Sequence, residues 1–67
     1  MLKVSEFIEK YHPYTIQFIY WLDGQYFKEV ASIYAEDEAF DMLLEKADFH
    51  VYAYSYFEDL RLLILSI

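Results

Sequence analysis

Sixty-seven residues make a single domain, 1–67, and a chain this short buries only about 60% of the surface it would expose unfolded, so its core has to be dense. Hydrophobic residues at 58%, with eight Tyr and six Phe, exclude disorder, while one Gly, one Pro and no Cys exclude a phosphate-cradling loop, a disulfide framework and a thiolate metal site. A net charge of −7, from twelve acids against five Lys and Arg, excludes the basic stripe of a nucleic-acid-binding surface and points to partners that are basic, or neutral and apolar.

Val4, Phe7, Ile8 and Tyr11 follow the i, i+3, i+4, i+7 spacing of an amphipathic helix from about residue 3 to 11. His12-Pro13 ends it, because the residue before proline disfavours the α region. Ser5 is available as a cap, but Ile8 stands where a capping box would need an acid.

Tyr14 to Trp21 (YTIQFIYW) is rich in β-branched and aromatic residues and runs into Asp23-Gly24, a strong hairpin signal. The partner strand is expected from Tyr26 to about Ala31. Alternation sets Ile16, Phe18 and Tyr20 against Thr15, Gln17, Ile19 and Trp21, so neither face is cleanly polar.

A second helix is expected to begin near Glu36 or Asp37, either of which suits the cap and the positive end of the dipole, and to end at about Lys46. Phe49 to Phe57 then alternates Val51, Ala53 and Ser55 against Tyr52, Tyr54 and Tyr56, Glu58-Asp59 makes a turn, and Leu60 to Ile67 (LRLLILSI) is apolar on both faces. A strand apolar on both faces belongs in the middle of a sheet. The order α-β-β-α-β-β is thus an α+β fold, most simply a four-stranded antiparallel sheet with two helices on one face. The longest apolar run, Leu62 to Leu65, is far shorter than the about 18 residues of a membrane span, and no signal-peptide pattern opens the chain, so a soluble cytoplasmic protein is expected.

The stretch with the strongest chemical character is Glu36 to Asp48, EDEAFDMLLEKAD, six carboxylates against one lysine. At about 100° per residue, Asp37, Glu38, Asp41, Glu45 and Asp48 fall within roughly one third of the circumference, with Phe40, Leu43, Leu44 and Ala47 on the arc expected to enter the core. The ordinary reading is a solvated face that keeps an aromatic-rich protein in solution. The sharper reading is phosphate imitation: Asp37, Asp41 and Glu45 recur about every 6 Å, against roughly 7 Å between successive backbone phosphates.

Phe7, Phe18, Phe27 and Phe40 read as core by their spacing on apolar faces. Trp21 and the series Tyr52, Tyr54, Tyr56 are candidate anchors for a partner or a homodimer, provided that their sheet face points outward. Ca²⁺ or Mg²⁺ binding lacks the Gly-containing loop of a calcium site, and His12 and His50 have no second ligand at suitable spacing. Ser55, His50 and Asp48 lack the convergence of a catalytic triad. No catalytic residue, metal or cofactor is assigned.

LKVSEFIEK, an apolar strand closing on DG, Phe27 followed by Ala31, DEAFDMLLEK, and VYAY before a last apolar strand together resemble the short accessory proteins of phages and conjugative elements of Gram-positive bacteria. The resemblance covers nearly the whole chain and implies an α+β fold and a mobile-element origin. It supplies no family active site. Small acidic proteins of that origin are similar in kind to anti-CRISPR and anti-restriction inhibitors. The resulting expectation is a non-enzymatic inhibitor of a host nucleic-acid-handling defence system. It would bind a basic host effector protein through the acidic helix, without direct contact to nucleic acid or membrane. The alternative is a self-associating structural or regulatory adaptor using a tyrosine-rich sheet face.

Overall fold

The computed structural model describes residues 2–67. Its elements are α1 (Val4–Tyr11), β1 (Thr15–Leu22), β2 (Gln25–Ser32), α2 (Glu38–Lys46), β3 (Ala53–Phe57) and β4 (Leu62–Ser66), in the expected α-β-β-α-β-β order. The four strands form one sheet, β2-β1-β4-β3. The strand apolar on both faces, β4, takes a central place beside β1.

One pairing departs from the all-antiparallel expectation. The two hairpins are antiparallel, but β1 and β4 run parallel, with Thr15 opposite Leu62 and Ile19 opposite Ser66. The reason lies in the connection. β2 ends beside Thr15, a single helix carries the chain back along the sheet, and β3 starts beside Ser66 at the other end. One helical crossover returns the chain to the end where β2 began, so β3 runs parallel to β2, and its hairpin mate β4 runs parallel to β1.

The β1–β2 turn is the one the sequence announces. Leu22 pairs with Gln25 across two residues, Asp23 and Gly24, with φ of 52° and 76°. Positive φ at both central positions is the type I′ geometry whose twist matches the flanking strands. α1 is started differently from expectation. Ser5 lies inside the helix, Lys3 is the N-cap, and its N–H donates to Glu6 Oε1 at 3.2 Å. The Val4 and Ser5 N–H groups, which a helix start leaves unpaired, donate to the carbonyls of Phe49 and Ala47, both at 2.9 Å.

That contact also moves the start of the third strand from Phe49 to Ala53. His50 bridges Lys3, and the Val51 N–H donates to the Leu2 carbonyl at 2.9 Å, so the segment after α2 pairs with the N-terminal segment before it reaches the sheet.

Val4 and Phe7 of α1, Ile16 and Phe18 of β1, Ala31, Leu43 of α2, Val51, and Leu63 and Leu65 of β4 form one buried core between the helices and a single sheet face. Full burial of side chains such as Phe18 and Leu63 contributes about 1.5–3 kcal/mol each, on which a small domain depends. Register places Tyr20, Phe27, Glu29, Tyr54 and Tyr56 on this same face. The opposite, open face carries Thr15, Gln17, Ile19 and Trp21 from β1, Tyr26, Lys28, Val30 and Ser32 from β2, Leu62, Ile64 and Ser66 from β4, and Ala53, Ser55 and Phe57 from β3.

Candidate functional site

The acidic helix is rolled relative to its apolar pattern. Its inward stripe is Ala39, Met42, Leu43 and Lys46, an i, i+3, i+4, i+7 set, and only Leu43 of the expected arc is buried. Phe40 and Leu44, expected in the core, are 45% and 61% exposed. The roll amounts to roughly a quarter turn, and Lys46 accounts for it.

The Lys46 side chain is only 12% exposed, and its ammonium lies 3.1 Å from Glu29 Oε2 and within 6.0 Å of the ring centres of Phe18, Tyr20 and Phe49. A lysine stem covers apolar surface as an aliphatic chain does while its charged head finds a partner at the edge. Glu29 is that partner. Its other oxygen accepts the Tyr20 hydroxyl, and Oε2 has no hydrogen-bond partner besides the facing ammonium among the described residues. The Tyr20 bond, followed by Lys46, holds the Glu29 carboxyl below its ordinary value against the opposing effect of burial. The same bond pushes the Tyr20 phenol above its ordinary value.

With Lys46 turned inward, the outward half of α2 carries two kinds of side chain next to each other. Glu38, Asp41 and Glu45 are exposed and border, with Tyr20, Glu29, Met42 and the Lys46 of the ion pair, a shallow, mainly acidic depression beside β2. On the flank toward α1, Phe40, Leu43, Leu44 and Ala47 meet Ser5, Ile8 and Ile33 in an apolar groove. Phe40 and Leu44 keep about half of their surface in solvent, so the groove is open.

The ridge is shorter than expected as a helical row. Asp37 is the N-cap and Asp48 lies past Ala47, so only Glu38, Asp41 and Glu45 stand on the helix, at axial steps of about 4.5 and 6 Å. Asp37 has φ of 77° and makes no side-chain cap bond, since a cap side chain normally reaches the first turn from an extended backbone. Asp37 and Asp48 are nonetheless exposed, as is Glu36. The ion pair found among the described residues is Lys46 with Glu29, so none of these surface acids is paired with a cation there.

The tyrosine series is divided. Tyr54 and Tyr56 sit opposite Leu65 and Leu63 on the helix side of the sheet, with the Tyr54 ring 4.8 Å from Phe7 and the Tyr56 ring 4.7 Å from Tyr11, yet Tyr54 keeps 50% of its surface exposed and Tyr56 is half-buried. Tyr52 precedes the strand and is 73% exposed. Alternation groups tyrosines on one face, but which face turns outward depends on register with β4, and that register directs Tyr54 and Tyr56 toward α1. Trp21 does lie on the open face, its ring 5.5 Å from Tyr26 in an edge-on contact. Among the described residues no group of three or more His, Cys, Asp or Glu side chains is arranged to hold a metal ion, and no helix is long and apolar enough to cross a membrane.

Neither protein-family models, curated proteins nor solved structures match this chain.

Proposed function

We propose that this chain is a non-enzymatic inhibitor of a host nucleic-acid-handling defence protein, of the anti-CRISPR or anti-restriction kind, and that it acts by seating α2 on a basic surface of that protein. The observation that carries the reading is the outward half of α2, where Glu38, Asp41 and Glu45 have no cation partner among the described residues and stand beside exposed Phe40 and Leu44. Carboxylates steer a basic surface into register and speed its approach at low salt, while adjacent apolar side chains supply contact energy that charge alone provides poorly. Phe40 and Leu44 supply apolar contact directly beside the acids, whereas Tyr54, itself 50% exposed, and Tyr56 lie against α1. Asp37 and Asp48 extend the negative field at the two ends. The target class rests on the resemblance to phage and mobile-element accessory proteins; the helical acids supply the negative field, at axial steps of about 4.5 and 6 Å that are shorter than the roughly 7 Å between successive phosphates.

The test is capture from a host lysate at low salt, followed by assay of the captured effector's nuclease activity with and without the chain. Reversal of Asp37, Asp41 and Glu45 to lysine should abolish both capture and inhibition, and raised salt should weaken capture steeply. Capture indifferent to both changes would remove the electrostatic mechanism. A second reading, self-association, is favoured by a separate observation on the open sheet face.

A further inference from the structure

We propose that two copies of this chain pack sheet to sheet through the open face, with β1 and β4 at the centre of the contact and α2 left free on both outer surfaces. Three observations carry this inference, none of which depends on the role of α2.

The face is uncharged over most of its area and carries exposed apolar side chains. Ile19 and Ile64 occupy its central strands, Gln17 separates Ile64 from Val30, which is 60% exposed on β2, and Trp21, at 69%, packs edge-on to Tyr26 at the hairpin end. Exposed aromatic and aliphatic side chains among uncharged polar groups suit the contact surface of an interface.

The distribution of charge selects the occupant. Of the twelve acids, none projects from this face: Glu29 points to the helix side, Asp23 sits in the hairpin turn, Glu58 and Asp59 sit in the turn at the opposite end, and the rest lie on the helices or beside them. A chain of net charge −7 repels its own copy wherever its acids face each other, and across the whole of this sheet face it presents no carboxylate. Lys28 is the one formal charge on this face, and it lies on edge strand β2, a position from which a lysine stem can carry its charge to the rim. A strongly charged partner would find no complement on this face. A second copy finds a neutral match.

The size is adequate. Four strands at about 4.8 Å spacing and up to eight residues in length give a footprint of roughly 450 Å². Side-chain relief raises the accessible area toward the about 600 Å² per partner at the lower end of specific interfaces. Two such sheets pack about 10 Å apart.

Sedimentation equilibrium of the full chain tests the proposal. The expected mass is twice 8.2 kDa at micromolar concentration. The dimer should tighten as salt screens repulsion between protomers, opposite to the salt response of α2-mediated capture, so the two proposals fail separately. Trp21 is the sole tryptophan, and its emission should shift to the blue as concentration rises and the dimer forms. Val30→Glu and Ile19→Glu should each weaken the dimer by about tenfold or more, with circular dichroism confirming that Val30→Glu folds; Leu44→Glu, in the inter-helix groove, should leave it unchanged. A monomer at every concentration in about 0.5 M salt would overturn the proposal. So would a dimer lost on Leu44→Glu but kept in Val30→Glu, or assembly into open-ended polymers through β2 or β3.

Discussion

Lys46 Nζ lies 3.1 Å from Glu29 Oε2, and this pair joins the last turn of α2 to the edge strand β2 at a place where both side chains are largely covered. Replacing Glu29 by alanine leaves the ammonium of Lys46, a side chain only 12% exposed, without its counter-charge, at a cost of about 1–3 kcal/mol. The pair also sets a pH dependence. The folded-state value of the Glu29 carboxyl lies below the ordinary 4.5, so its contribution is fully present above about pH 4.5 and is lost as pH falls through the lower folded value. Urea midpoints across pH should show Glu29→Gln less stable than the parent at neutral pH, with the gap closing in acid. A gap independent of pH would mean that Glu29 acts through packing alone.

Phe18 is fully buried at the centre of β1, its ring centre 6.0 Å from the Lys46 ammonium. Phe18→Ala should cost about 3–5 kcal/mol, comparable to the entire stability of a domain this size. Circular dichroism should show it largely unfolded at 37 °C, whereas Phe40→Ala, at a residue 45% exposed, should remain folded. The comparison separates the observed roll of α2 from the one its apolar pattern suggests.

Arg61 holds the junction between α1 and β1. Its guanidinium stacks 3.9 Å from the Tyr14 ring centre and donates to the His12 carbonyl, while its own carbonyl accepts the Tyr14 N–H at 2.8 Å. Loss of the stack and the charged hydrogen bond in Arg61→Ala should cost about 1–2 kcal/mol. Lysine should recover less than half of this in thermal melts, since it lacks the planar fork.

Glu45 stands in the last turn of α2, at the negative end of the helix dipole and one turn from Asp41. Both relations are unfavourable, so Glu45→Gln should raise stability by a few tenths of a kcal/mol at low salt. High salt should erase the gain. If the same substitution lowers affinity for a basic partner, the carboxylate is retained for binding at the expense of the fold.

Local signals in the chain were sufficient for element order, the Asp23-Gly24 turn and the central place of β4, because they depend on neighbours: side-chain alternation, two φ-tolerant residues in succession, and an apolar run with no polar side. The same signals located the concentration of acid between Glu36 and Asp48. Three things were decided only in the folded molecule. β1 and β4 are parallel because one helix, rather than a turn, joins the hairpins. Tyr54 and Tyr56 face α1 because pairing with β4 chose their side. Phe40 and Leu44 remain exposed because Lys46, counted as polar in any linear pattern, buries its stem once Glu29 arrives from a strand seventeen residues earlier to meet its charge. Periodicity classifies a side chain by type, whereas packing classifies it by what its ends can reach, and long-range partners settle that.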